Sequence, residues 1–183
     1  MTLKPIAAFL IACGMLVAQP ALAAGPMSAG AYRNERGGIK AEYEADVERC
    51  SSLSGNAKDL CRTEAGSKRN GALADAEAAY KGTPKAHTDA LFAHAEANYA
   101  VAREKCDDFA GNAKDVCVMD AKAVLTKAKA DAKAKRVATD ARSEAIKETR
   151  DADYDAAKAR CDALAGDAKD RCIADAKSRF GRS

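Results

Sequence analysis

The chain has 183 residues, a formal net charge of +3, two histidines and no tryptophan, and alanine supplies most of its apolar character. So small a charge argues against nucleic-acid binding, which leaves a strongly basic footprint. The scarcity of large aliphatic residues excludes a thick apolar core and pushes towards disorder. Strong helix formers, opposite charges three or four residues apart and cysteines able to staple a thin interior push back.

Taken in order, residues 1–23 read as a secretory signal. Lys4 gives a basic start, an apolar run from Ile6 to Ala18 is too short to span a bilayer comfortably, and Ala21-Leu22-Ala23 after Pro20 has the form of a cleavage site. A competing lipoprotein signal would use Cys13, but the apolar run continues past Cys13 where a lipobox should close it. The expected compartment is periplasmic or secreted, with cleavage after Ala23. Cleavage removes Cys13 and Lys4 and leaves six cysteines, an even number suited to a disulfide framework. No later stretch is apolar enough to span a membrane.

Residues 24–38 read as a flexible leader, because Gly37-Gly38 delays a firm helix until about Ile39. Three helical hairpins follow, over 39–82, 83–138 and 139–183. Each centres on one repeated unit, Cys-x4-Gly-Asn/Asp-Ala-Lys-Asp-x-Cys, starting at Cys50, Cys106 and Cys161. The glycine suits a helix end, and the Asn or Asp after it suits an N-cap. The two cysteines of each unit are symmetric about that turn. Facing positions of packed helices bring their Cα atoms within about 4–5 Å, which is disulfide range. The pairing is therefore Cys50–Cys61, Cys106–Cys117 and Cys161–Cys172. A tyrosine seven residues before each first cysteine (Tyr43, Tyr99, Tyr154) and a large residue three after it (Leu53, Phe109, Leu164) read as repeated core layers.

The predicted fold is all-α: three stapled αα-hairpins joined by long Ala/Lys-rich helices, either extended or as a loose antiparallel bundle. The helix from Ala113 either runs unbroken to Ala165 or turns near Thr139, where a shifted copy of Gly82-Thr83-Pro84 would fall. Alanine and lysine on both sides favour the continuous form.

No catalytic or metal constellation stands out, and no cofactor is expected. His87 and His94 lie about 10 Å apart along a helix, too far to share an ion. The cysteines lack zinc spacing, and no Gly-rich phosphate loop or nucleophile elbow occurs. One charge asymmetry remains. Residues 122–142 carry Lys122, Lys127, Lys129, Lys133, Lys135, Arg136 and Arg142 against Asp131 and Asp140, a pattern able to meet an anionic partner.

The Ala-Lys-Ala-Asp-Ala-Lys run from Ala128 resembles the long periplasmic helix of TolA-like cell-envelope proteins. The cysteine unit resembles one in uncharacterised Ala/Lys-rich exported proteobacterial proteins. The first likeness is compositional, and this chain has a cleavable signal in place of a membrane anchor, so no functional residue carries over. The expected function is a non-enzymatic envelope spacer, scaffold or interaction module. Two alternatives are a binding module for an anionic envelope component (lipid or lipopolysaccharide) and a small periplasmic stress protein or chaperone. The expected partner is a protein or such an anionic component, with self-association through helix seams as a further possibility.

Overall fold

The computed structural model describes residues 26–182. Residues 1–23, read above as a signal, and Cys13 lie outside these residues. The described chain forms α1 (Ala29–Cys50), α2 (Gly55–Lys81), α3 (Pro84–Lys105), a 3-10 turn (Cys106–Asp108), α4 (Gly111–Cys161) and α5 (Gly166–Phe180). The all-α reading and the three cysteine pairs hold, with Cα separations of 5.6, 5.7 and 5.7 Å.

Among the described residues, extended packing occurs only between chain neighbours: α1 on α2, α2 on α3, α3 on α4, and α4 on α5. The first four helices therefore form an open antiparallel row, not a closed bundle. The first two stapled turns share one end of the row, where the Asn56 amide donates to the Asp108 carboxylate. Gly82, left-handed at φ 60°, and Thr83, whose hydroxyl accepts from the Ala86 N–H, reverse the chain at the other end.

α4 does not reverse. It runs 51 residues without a break, about 75 Å at 1.5 Å per residue. The boundary expected at 138/139 falls inside it, and the third staple lies at its far end. From 133 to 150 every residue is exposed. Such a helix, polar all round, persists on propensity and on pairs such as Arg136–Asp140 and Glu144–Lys147. α5 then folds back on the last turns of α4. Phe180 meets Tyr154 edge-on at 6.2 Å, and Arg182 pairs with Asp151.

The interior is built from small groups. Among the described residues, the buried apolar positions are ten alanines, three cysteines and Ile39. Burying one methyl-sized group is worth about 0.8 kcal/mol. One staple closing so short a ring is worth about 3 kcal/mol in the chain-entropy model. Each disulfide thus stabilises as much as about four buried alanines.

Three expectations are corrected. First, residues 29–38 are helical, not a leader. Ser28 caps α1 by accepting from the Ala31 N–H, and Met27 N–H donates to the Ala79 carbonyl 2.8 Å away. Tyr32 stacks on Tyr80 with ring centres 4.6 Å apart and donates its hydroxyl to Glu77. These tertiary contacts outweigh Gly37 and Gly38, each costing up to about 1 kcal/mol against alanine. Second, each turn glycine opens the second helix instead of closing the first. Gly55, Gly111 and Gly166 sit at φ 55–56° after a short loop, and no side chain caps these helices. Third, Leu53, Phe109 and Leu164 fall on those loops and are 41%, 52% and 45% exposed. They are not core layers. The half-buried tyrosines do pack, with Tyr43 under the Arg69 guanidinium at 4.2 Å.

The Tyr32 contact gives a pH prediction. The Lys81 ammonium 2.7 Å away, and then the Tyr32 hydroxyl, hold the Glu77 carboxyl below the usual glutamate range. A depressed folded value stabilises above that range, and the contribution is lost as pH falls through it. Acidification should therefore unstack Tyr32 from Tyr80, read as a loss of near-UV circular dichroism. In Glu77→Gln this step should be absent.

Candidate functional site

The six cysteines are the residues most firmly placed by the fold. Cys50, Cys106 and Cys161 are completely buried, and all six are bonded, so none is a free thiol for metal or redox chemistry. Lys169 lies 2.9 Å from Asp162 across the third loop, and Lys114 lies 2.7 Å from Asp107 across the second. The Lys169 hydrogen bond, then its charge, lowers the Asp162 pKa from the ordinary aspartate value. The first loop carries Ser51 at the equivalent place and lacks the clamp.

The basic segment does not make a single face. At 100° per residue, Lys122, Lys129, Lys133 and Arg136 share one flank of α4, whereas Lys127 and Lys135 point elsewhere. Lys127 pairs with Asp131, Lys129 with Glu96 at 2.6 Å, and Arg136 with Asp140 at 3.3 Å. Lys122, Lys133 and Lys135 make no ion pair among the described residues.

Two of these cations border a cleft that the sequence did not disclose. It is about 420 Å³, open to solvent, and lies between the start of α3 and the middle of α4. Its lining includes His87, Thr88 and Leu91 on one side and Ala132, Lys135, Arg136 and Thr139 on the other. The repeat explains why it is open. Cys50 to Cys106 is a step of 56 residues. The same step carries the stacked pair Tyr32 and Tyr80 of the first hairpin onto Thr88 and Arg136. Where two rings fill the first α–α contact, the second holds a threonine and an arginine that leave the gap. The missing tyrosines were the available signal. Its charged lining is Lys135 and Arg136 against Asp75, two cations to one carboxylate. His94 is occupied separately, with Nε2 2.8 Å from Asp75 and its ring against Gly71. Among the described residues, no group of three or more histidine, cysteine or acidic side chains is arranged to hold a metal.

These features define the class: an all-α protein of disulfide-stapled helical hairpins in an open row, extended by one long exposed helix. No described helix is long and apolar enough to cross a membrane. No protein-family model, curated protein or solved structure matches the chain.

Proposed function

We propose that this is a non-enzymatic spacer of the cell envelope, holding two stapled helical units at a fixed separation. The observation that carries the reading is the exposed stretch from 133 to 150 within α4, flanked on both sides by hairpins with their own disulfides. The staples fit export to an oxidising compartment. A bare helix of that length keeps distance and direction where a flexible linker keeps neither. The test uses the helix period. Deleting residues 133–150 removes five whole turns, shortening the protein by about 27 Å while keeping both ends in phase. In cells whose envelope integrity depends on this protein, the deletion should fail to complement although both units stay folded and exported. Full complementation by the shortened chain would sink the spacer role.

A second reading is favoured by the cleft. Lys135 and Arg136 would hold an anionic headgroup of lipid or lipopolysaccharide, with Lys122, Lys129 and Lys133 along the same helix adding long-range attraction. Binding to anionic vesicles should then weaken steeply with salt. It should drop at least tenfold when Lys135 and Arg136 are changed to glutamate. Unchanged binding in that variant would exclude the cleft as the site.

A further inference from the structure

The open row has two free flanks. Inside the row, α2 packs on α3 through Ser67, Gly71, Ala74 and Ala78 on one side and Ala86, Ala90, His94 and Ala97 on the other. Ser67 Oγ donates to the Ala97 carbonyl at 3.1 Å, and the His94 ring lies over Gly71. Moving α2 forward by the 56-residue step places its α3-facing surface on α4 at Ala123, Lys127, Ala130 and Ala134. Met119 and Val137 extend that face. All six are exposed, Met119 at 70% and Val137 at 61%. Moving α3 back by the same step places Ala86 on the half-buried Gly30, and Ala90, His94, Ala97 and Val101, which lines the same α2–α3 groove, on Asn34, Gly38, Ala41 and Ala45 of α1. The last four are exposed as well.

We propose that the free face of α4 binds the free face of α1 of a second copy of this chain. The contact would repeat between molecules the α2–α3 packing found within each one. The inference deepens the scaffold reading but rests on packing alone, not on the compartment or the cleft. Three details of complementarity choose this occupant. The pair Lys105–Glu64, which links α3 to α2 at 3.6 Å, maps onto Arg49 and Asp120, again opposite charges. The bulge and hollow are exchanged: His94 over Gly71 becomes Lys127 over Gly38. The bond from Asn56 to Asp108 at the turns maps onto Asn112 and Ser52, which can also form a hydrogen bond.

Two different faces meeting make a head-to-tail contact that does not close on itself, so growth is open-ended. One helix pair buries less than a standard interface of about 1,600 Å², so association is weak and builds up in roughly the micromolar-to-millimolar range. Sedimentation velocity of the oxidised mature protein tests this. The weight-average sedimentation coefficient should rise with concentration and not level off at a dimer. Ala130→Glu with Ala134→Glu blocks α4, and Ala41→Glu with Ala45→Glu blocks α1. These sites are exposed and glutamate suits a helix, so an unchanged melt verifies that each variant folds. Each variant alone should stay monomeric, and their equimolar mixture should stop at a heterodimer. The proposal is overturned by a wild-type chain that remains monomeric throughout, by an α1 variant that still associates, or by a mixture that forms no dimer. None of these results bears on complementation by the shortened spacer.

Discussion

Restoring the turn that α4 lacks should fold the molecule in half. Ala138→Gly with Asp140→Pro recreates, at the repeat-equivalent position, the Gly82-Thr83-Pro84 reversal between α2 and α3. Proline inside a helix costs about 3 kcal/mol and glycine about 1 kcal/mol, so the straight helix loses roughly 4 kcal/mol. Little packing compensates, because every residue from 133 to 150 is exposed. The folded-back chain gains a surface in return, since the exposed face of α4 at Ala123, Ala130 and Ala134 would receive the third hairpin. Energy transfer between dyes at Asn112 and Asp167 reads the change. The separation should fall from about 75 Å to roughly 20 Å. If the separation is unchanged, the hydrogen-bonded ladder of α4 is held by something other than local propensity.

Breaking the third staple should release α5 and leave the rest intact. α5 is 15 residues long, near the length at which an isolated helix is marginal in water. Its docking rests on Ala176, the Tyr154–Phe180 edge contact, the exposed Arg182–Asp151 and Lys169–Asp162 pairs, and the disulfide. With Cys161→Ala and Cys172→Ala the loss of about 3 kcal/mol exceeds what the remaining contacts supply. Amides of α5 should then exchange at nearly the unfolded rate while those of α2 and α3 stay protected. Removing Cys50–Cys61 should act less completely on α1, which keeps the Tyr32–Tyr80 stack and the buried Asp46 between Arg49 and Lys68. Equal protection of α5 with and without its disulfide would show that the hairpin is held by packing.

The staples were legible because pairing about a turn depends only on helix geometry and sequence separation. Continuity of α4 was legible for a similar local reason: between Ala113 and Ala165 no residue breaks a helix. What the sequence hid was long-range. Gly37-Gly38 reads as a helix start until Tyr32 is seen seated on Tyr80, 48 positions away. Phe109, three residues after Cys106, reads as a core layer on paper, but α3 ends at Lys105 and Phe109 lies in extended backbone at φ −101°, ψ 165°. The basic run is contiguous in sequence yet winds round the helix, so Lys122 through Arg136 divide between a flank, a cleft and an internal pair. The cleft arises from side chains that the second repeat lacks, which a reading of motifs present does not register.

Small-angle X-ray scattering from oxidised protein spanning residues 24–183, extrapolated to infinite dilution, tests the central claim most directly. α4 alone requires a maximum dimension of at least about 75 Å, with a scattering profile drawn out along one axis. A compact domain of this length has a radius of gyration near 15 Å. A value close to that would mean that α4 turns in solution, its face is covered by the chain's own third hairpin, and neither the spacer nor the head-to-tail contact stands.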